Sequence, residues 1–101
     1  MKRPEIIWTA DGENDLRQMY AWMDEYADGA GDRFILVLDS ALELLRTFPE
    51  MAPWYERPFR RLLIGKRDIG IYYTFEGRRI IVHAILFLKG DDTPLHRRLG
   101  L

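Results

Sequence analysis

The stretch RPFRRLLIGKRDIGIYYTFEGRRIIVHAIL, residues 57–86, decides the fold of this chain. It divides into three apolar segments, which Gly65-Lys66 and Glu76-Gly77 separate. Within a segment the apolar residues either alternate with other residues or follow one another without a break. Segments bounded by such turns predict an antiparallel meander of three strands. We place the strands at about residues 59–64, 69–75 and 79–87.

The N-terminal part predicts one strand followed by a helix. Residues 5–9, EIIWT, are apolar and β-branched, as a short strand requires, and Asp11 is placed to cap the helix after it. One helical face then carries apolar residues at i, i+3, i+4 and i+7, with two more aromatics on or beside it: Leu16, Met19, Tyr20, Met23, Trp22 and Tyr26. We expect this stripe, with Trp8 and Trp22, to lie in the core.

Residues 28–32, DGAGD, predict the turn of a helical hairpin, with Asp32 as the cap of a second helix over residues 33–48. That helix is so apolar that we expect it to pack on both the first helix and the sheet: Phe34, Ile35, Val37, Leu38, Ala41, Leu42, Leu44, Leu45 and Phe48. Pro49 ends it, and residues 49–58 are predicted to be a loop. Residues 90–101 form a basic tail, either a helical turn or disordered.

The order β-α-α-β-β-β predicts an α+β fold in one domain, residues 1–101. An N-terminal strand and a helical hairpin precede the three-stranded antiparallel meander, with the helices on one side of the sheet. A chain of 101 residues has a core that is adequate but not large.

Charge divides the chain into two unlike halves. Residues 1–56 hold five Lys/Arg against twelve Asp/Glu, whereas residues 57–101 hold ten against four. The formal net charge of −1 therefore hides an acidic helical half and a basic sheet half. Such asymmetry favours an acidic partner, either nucleic acid or an acidic protein segment.

Several classes of function are excluded or disfavoured by composition. The absence of cysteine excludes a disulfide scaffold, a thiolate metal site and a cysteine nucleophile. Two histidines thirteen residues apart are a poor start for a metal site, so we expect neither metal nor cofactor. No stretch reaches the roughly 20 apolar residues of a membrane span, and no signal peptide is visible. We expect a soluble cytoplasmic protein.

The order of elements and their residues resembles the RelE/ParE superfamily, the small toxins of bacterial type II toxin–antitoxin modules, which includes plasmid-stabilisation proteins. The resemblance covers about residues 5–90 and rests on order and spacing together. The residues that carry it are IIWT, a helix with Asp15-Leu16, a helix ending in LLRTFPE, the Arg60-Arg61 strand, the Tyr72-Tyr73 strand and the apolar run of residues 80–86. It implies two classes: RelE-like members cleave mRNA on the ribosome, and ParE-like members inhibit DNA gyrase.

Departures from the RelE-like pattern imply the ParE-like class. RelE-like nucleases commonly carry an arginine two residues before the apolar-apolar-Tyr pattern of the middle strand, where this chain has Gly70 or a near neighbour. They carry a second one just after the last strand, where only Lys89 is cationic. After Lys89 there is no tyrosine, and the only histidine is His96. The Gly-x-Arg-Asp of many ParE-like chains is also matched imperfectly, by Gly90-Asp91-Asp92.

The resemblance leaves three hypotheses open. The first is a ParE-like toxin that inhibits DNA gyrase, has no catalytic residues and is neutralised by a cognate antitoxin. The second is a RelE-like ribosome-dependent mRNA endoribonuclease, whose catalytic residues would be Arg60, Arg61, Arg67, Lys89 and His83, with Lys66 as a further cation. The third is a non-toxic degenerate relative that acts as a binding partner.

Candidate residues for contact with the target or the antitoxin lie in the basic half: Trp54, Tyr55, Arg57, Arg60, Arg61, Lys89, His96, Arg97 and Arg98. An acidic or amphipathic antitoxin segment would complement this half and cover Trp54, Tyr55 and residues 95–101. Alternation along the strand places Arg60 and Arg61 on opposite faces, so at least one faces the helical layer. Plainer interpretations remain: both tyrosines pack in the sheet, His83 faces the sheet, His96 is exposed, and the arginines solubilise strands.

Overall fold

The structure, a computed structural model, describes residues 3–101. In chain order its elements are β1 Glu5–Trp8, α1 Ala10–Tyr26, α2 Ala30–Thr47, β2 Trp54–Glu56, β3 Phe59–Ile64, β4 Ile69–Glu76, β5 Arg79–Phe87 and α3 Thr93–Leu99. The predicted α+β architecture is confirmed: a strand and a helical hairpin precede an antiparallel meander. Two elements differ from the prediction: β2 lies where a loop was predicted, and α3 lies where the alternatives were a helical turn or disorder.

The sheet has five strands in the order β1-β5-β4-β3-β2 within residues 3–101. β1 pairs with β5 in parallel, whereas β2, β3, β4 and β5 form antiparallel neighbours. The prediction that residues 49–58 are only a loop was wrong, because Trp54 and Glu56 pair with the start of β3. The hairpin loop between β4 and β5 is Gly77-Arg78 rather than Glu76-Gly77, since Glu76 pairs with Arg79.

The junction between β1 and α1 is set by a close approach to β5. Thr9, rather than the predicted Asp11, caps α1, with its hydroxyl accepting from the Gly12 N–H at 3.0 Å. A Cβ on Gly12 would lie 2.6 Å from the carbonyl oxygen of Val82, so only glycine allows this approach. Asp11 lies in the first turn of α1, where a carboxylate favours the helix dipole.

The helical hairpin turns at Gly29, which has a φ of 76° and stands at the N-cap of α2. Asp32 was the predicted cap, but its carboxylate accepts a hydrogen bond from the Tyr20 hydroxyl at 2.6 Å instead. The Gly31 N–H is bound by the Asp24 carboxylate at 2.8 Å. These contacts fix the two helices against each other at the hairpin turn.

The main core lies between α1, α2 and one face of the sheet. It contains residues from both layers that are nearly inaccessible to solvent: Met19, Phe34, Leu38, Leu42, Leu45, Ile64, Ile71, Tyr73, Ile80, Val82 and Ile85. The Tyr73 hydroxyl donates to the Pro49 carbonyl at 2.7 Å and so holds the loop after α2 on the sheet. The expectation that Tyr72 and Tyr73 both pack in the sheet is confirmed.

Some helical residues predicted to be buried are exposed. Trp22 and Tyr26 are 54% and 82% exposed, and Trp22 packs edge-on against Phe87 at 5.2 Å between ring centres. Their position on the helix leaves them at the end of the sheet, beyond the strands that could cover them. Val37, Leu44 and Phe48 also stay 43–58% exposed, because α1 and the sheet cover the other sides of α2.

Candidate binding and catalytic surface

The face of the sheet opposite α1 and α2 is called the second face below. Alternation along the strands brings there an aromatic, cationic and titratable set: Tyr55, Phe59, Arg61, Tyr72, Thr74 and His83. α3 covers part of this face through Leu95 and Leu99, which pack on Tyr72, Ala84 and Leu86. The tail is thus a helix with a packing role, which resolves the two alternatives left open for residues 90–101.

A β-bulge places His83 on the second face. Tyr73 pairs with Val82 and Tyr72 with Ala84, so His83 is the extra residue between them. Its Nε2 lies 2.9 Å from the Thr74 hydroxyl, and Phe59 packs edge-on against its ring at 5.1 Å between centres. Partial burial lowers the pKa of His83 below its usual value. The expectation of a sheet-facing histidine is confirmed.

Tyr55 and His96 form a hydrogen-bonded pair between β2 and α3. The Tyr55 hydroxyl donates to Asp92 at 3.1 Å and lies 2.8 Å from His96 Nε2. Because the hydroxyl has one proton, donation to Asp92 leaves its oxygen free to accept from the Nε2–H tautomer of His96. Burial, followed by the hydrogen bond to Asp92, raises the pKa of Tyr55 to about 12. His96 was expected to be exposed, whereas its side chain is partly covered and hydrogen-bonded to Tyr55.

A buried ion pair fastens α3 to α1. Asp15 is only 6% exposed, and its carboxylate accepts from Arg98 Nη1 at 2.6 Å and Nη2 at 3.2 Å. The same carboxylate accepts a hydrogen bond from the Ile85 backbone N–H at 3.1 Å. Ile85 lies in the part of β5 that follows Val82, where the pairing with β1 has ended. The hydrogen bond to Asp15 raises the pKa of Arg98. Arg98 therefore stabilises the fold by holding α3 against α1.

Arg61 lies over an aromatic floor on the second face. Its guanidinium carbon is 5.1 Å from the ring centre of Tyr55 and 6.0 Å from that of Tyr72. Its aliphatic stem passes over Gly70, where an added Cβ would meet the stem at 3.1 Å and the Tyr72 ring at 3.0 Å. A larger residue at position 70 would therefore have to displace Arg61 or Tyr72.

Arg60 faces the helical side and is used differently. Nη1 donates to the carbonyls of Ala52 and Glu50 at 2.8 and 3.1 Å, and Nη2 lies 3.5 Å from the Glu50 carboxylate. Its guanidinium also stacks 3.7 Å from the Trp54 ring centre, and that of Arg57 lies 4.8 Å away. Arg60 thus braces residues 50–54 and holds the half-exposed Trp54 in place.

Lys89 lines a cavity of about 240 Å³ between the end of β5 and α3, together with Tyr72, Asp91, Asp92 and Arg98. No carboxylate of residues 3–101 lies within ion-pair distance of the Lys89, Arg57, Arg61 or Arg97 side chains. These four cations remain available to an outside ligand.

The predicted candidates therefore fall into separate groups. Tyr55, Arg61, Lys89, His96 and Arg98 lie on the second face or at its rim, while Trp54, Arg57 and Arg60 form a group at the β2 edge. Lys66 and Arg67 are exposed in the turn between β3 and β4, and Arg97 is exposed on α3.

Sequence reasoning assigned no structural role to Asp15, Asp92 or Glu56, the carboxylates that hold α3 in place. Glu56 lies 3.7 Å from His96 Nε2. An apolar-face pattern gives no reason to single out Asp15, which stands one residue before Leu16. Only the meeting of α1, β5 and α3 in space shows its role.

Residues 3–101 contain neither a metal-binding cluster nor a membrane-spanning helix. No cluster of three or more histidine or acidic side chains is arranged to hold a metal ion. None of the helices in that range combines the length and the apolar composition needed to cross a bilayer.

The arrangement of helical hairpin and twisted meander defines a RelE/ParE-type toxin domain. The family model described as ParE toxin of type II toxin-antitoxin system, parDE, matches residues 6–92. This chain therefore belongs to the ParE toxin family of type II toxin–antitoxin systems, and the predicted resemblance is confirmed. α3 lies just outside the matched residues.

Solved structures agree on the fold. A chain of the chromosomal ParDE TA system from P. aeruginosa is similar with a TM-score of 0.73 at 13% sequence identity. The match covers 86% of this chain and 98% of that chain. At such low identity the similarity shows the fold alone. No curated protein matches the chain significantly.

Proposed function

We propose that this chain is a ParE-like toxin that inhibits DNA gyrase by protein–protein contact and is neutralised by a cognate antitoxin. Membership of the ParE toxin family supports the toxin part of this proposal. The choice of gyrase over mRNA rests on one observation: Gly70 lies under the Arg61 stem and against Tyr72. The space that a side chain at position 70 would need is filled here by Arg61 of β3 and by Tyr72 of the same strand, β4.

The hydrogen bonds of the other candidate catalytic side chains also favour gyrase over mRNA as the target. Cleavage of RNA without a metal needs a base, an acid and cations that stabilise a charged phosphate. Arg60 is bound to the carbonyls of Glu50 and Ala52, and Arg98 is bound to Asp15. His83 is engaged with Thr74, on a different part of the second face from Lys89. Inhibition by surface contact requires none of these groups to react.

The unpaired cations support an acidic partner surface. Arg57, Arg61, Lys89 and Arg97 have no carboxylate within ion-pair distance among the described residues. At the β2 edge, Arg57 beside the half-exposed Trp54 combines positive charge with an aromatic anchor, the composition of interface hot spots. We propose that the target or the antitoxin contacts these residues and Tyr55 and His96, while Arg60 and Arg98 position the neighbouring groups.

Pulse-labelling of cells after induced expression tests the proposal. DNA synthesis and protein synthesis are followed separately, and chromosome breakage is measured on gels. Early loss of DNA synthesis with broken chromosomes is the expected result. Early loss of translation with intact DNA would contradict it, and no loss of either would indicate a non-toxic relative. Co-expression of the adjacent gene in the operon should restore growth if its product is the antitoxin.

A RelE-like endoribonuclease remains the second candidate because of one arrangement. The Tyr55–His96 pair, a possible acid–base couple, lies beside Arg61 on the second face. In that case Arg61→Ala and Lys89→Ala would abolish translation arrest while leaving a folded protein. Unchanged toxicity of both variants would remove the main support of the nuclease hypothesis.

A further inference from the structure

A small cavity lies between the end of β5 and the start of α3, with a volume of about 240 Å³. Its apolar walls come from Leu86 and Phe87 of β5 and from Leu95 of α3, and Tyr72 of β4 also lines it. Apolar walls with a few polar groups are the usual composition of a ligand site. Pockets for drug-sized ligands measure roughly 300–1,000 Å³, so this cavity suits a smaller molecule.

The Tyr72 hydroxyl is a polar group without a partner at this cavity. Tyr72 is only 2% exposed, and its ring packs edge-on against Tyr55 at 5.0 Å between centres. A buried tyrosine hydroxyl usually has a hydrogen-bond partner, as Tyr73 has in the Pro49 carbonyl at 2.7 Å. The Tyr72 hydroxyl has none within residues 3–101. No side-chain oxygen or nitrogen of that range is both sealed from solvent and unpartnered, so this hydroxyl must open into the cavity.

Lys89 supplies a second unused donor in the same cavity. Its ammonium has no carboxylate within ion-pair distance among residues 3–101. Arg98 also lines the cavity, but its guanidinium is bound to the Asp15 carboxylate at 2.6 and 3.2 Å. A carboxylate has two acceptor oxygens, so it can take one hydrogen bond from the Lys89 ammonium and one from the Tyr72 hydroxyl.

Asp91 and Asp92, just before α3, favour a positive group on the same ligand. Asp91 accepts from the Thr93 N–H and hydroxyl at 3.0 and 2.7 Å, and Asp92 accepts from the Tyr55 hydroxyl at 3.1 Å. Both carboxylates keep lone pairs for a further donor. Since the Arg98 guanidinium is already paired, the cavity holds one free positive charge and two negative ones. A simple anion would meet net repulsion, whereas a ligand with both a carboxylate and an ammonium matches both sets of charges.

We propose that this cavity binds a free α-amino acid with an aliphatic side chain. The ligand carboxylate accepts hydrogen bonds from Lys89 and Tyr72. Its ammonium donates to Asp91 and Asp92, and its side chain lies against the apolar walls. The bound amino acid joins the end of β5 to the start of α3 and so fastens that helix. The site is independent of the proposed inhibition of gyrase, because binding requires neither gyrase nor an antitoxin.

An NMR titration of the ¹⁵N-labelled full chain with L-leucine tests the proposal. The backbone amides of Lys89, Asp92 and Leu95 should shift saturably, because they lie around the cavity. Amides in the turn between α1 and α2 should not shift. The absence of a saturable shift, or shifts centred elsewhere in the domain, would overturn the proposal.

Analogues of leucine test the two charges without any change to the protein. L-leucinamide lacks the carboxylate and N-acetyl-L-leucine lacks the ammonium, so each should bind at least about tenfold more weakly than leucine. Glycine keeps both charges but has no side chain to bury, and it should also bind about tenfold more weakly. If N-acetyl-L-leucine binds as tightly as leucine, the cavity is a plain carboxylate site. Equal binding of L-leucinamide would make it a plain cation site, and either result contradicts the proposal.

Variants of the two donors test the carboxylate position. Tyr72→Phe keeps the buried ring and should weaken leucine binding about fivefold, the equivalent of one neutral hydrogen bond. Lys89→Gln removes a charged donor and should weaken it about tenfold. Tyr26→Phe and Lys66→Gln, both exposed outside the cavity, are the matched controls and should bind as the wild type does. Unchanged binding by both cavity variants would refute the assigned contacts, and the analogue series decides if either variant fails to fold.

Hydrogen–deuterium exchange tests the connection to α3. The His96 N–H donates to the Asp92 carbonyl at 2.9 Å in the first turn of that helix. Saturating leucine should slow exchange of this amide several-fold, because a ligand that binds only the docked helix opposes its opening. Unchanged exchange at saturation would contradict a ligand that bridges β5 and α3.

Discussion

The two faces of the sheet use alternate residues of the same strands and differ in how they are stabilised. On the helical face Ile71, Tyr73 and Val82 are sealed from solvent by two long helices. On the second face Tyr72 is buried under one short helix that is held by polar contacts, whereas Arg61 and His83 are covered only in part. The helical face therefore supplies most of the buried apolar surface, whereas the second face holds charged and titratable side chains.

The largest expected effect is a cavity on the helical face. Ile71→Ala should lower the free energy of unfolding by about 4 kcal/mol, because Ile71 is fully buried in mid-strand. Leu86→Ala, on the half-covered second face, should cost only about 1–2 kcal/mol. Urea denaturation measures both. Equal losses would contradict the unequal division of stability between the faces.

The next effect concerns the ion pair that joins the faces around the edge of β5. Asp15→Ala leaves Arg98 and the Ile85 N–H without their acceptor and should cost about 2–3 kcal/mol. Asp11→Ala is the control, since Asp11 is exposed and lies 4.0 Å from Arg98, and it should change stability by less than about 0.5 kcal/mol. A cost below 1 kcal/mol for Asp15→Ala, measured in urea, would refute this role.

Two neighbouring tyrosines give a matched test of the faces. Tyr73→Phe removes a buried hydroxyl and leaves the Pro49 carbonyl without its donor, so we expect a loss of about 1–2 kcal/mol. The Tyr72 hydroxyl makes no hydrogen bond to residues 3–101, so Tyr72→Phe should cost less than about 0.5 kcal/mol. Thermal or urea unfolding compares the two. A reversed order would mean that the hydroxyl contacts are assigned to the wrong face.

The smallest effect is a pH dependence on the second face. The pKa of His83 is lowered in the folded chain, so the unfolded chain takes up a proton first as the pH falls through about 6.5. Stability should therefore decline between pH 7 and pH 5.5, and less in His83→Gln than in the wild type. The difference between the two proteins in urea midpoints isolates this group from other titrations. Identical declines would show that His83 does not contribute.

The meander and the helical hairpin followed from sequence because their apolar periods are long and local. Alternation through Ile69, Ile71 and Tyr73 defines a strand without knowledge of its neighbours. β2 has only three residues, and the segment before it is held by hydrogen bonds from the Arg60 side chain to the carbonyls of Glu50 and Ala52. Short strands of this kind have no period of their own to detect.

The sequence of α3 does contain local features that predict a short helix. Pro94 stands in its first turn, Leu95 and Leu99 share a face at i and i+4, and Gly100 follows its end with a φ of 77°. In contrast, the exposure of Trp22 was not available from periodicity. A helical wheel shows which residues share a face but not where the sheet stops covering it.

The candidate residues themselves were found mainly from charge, and their partners were not. Sequence reasoning placed Arg60 and Arg61 on opposite faces but offered both, with Arg98, as contact residues. The structure separates Arg61, which has no carboxylate partner among the described residues, from Arg60 and Arg98, which hold carbonyls and a buried carboxylate. That separation depends on long-range contacts, which one sequence without its fold does not display.

The most direct test of the central claim uses purified components. The chain is incubated with DNA gyrase, ATP and supercoiled plasmid, and double-strand cleavage is measured after protein denaturation. In parallel, translating ribosomes are supplied with a defined mRNA. The account predicts gyrase-dependent plasmid cleavage or loss of supercoiling, with intact mRNA. Cleaved mRNA in the ribosomal A site, with gyrase unaffected, would contradict the account and assign chemistry to the second face.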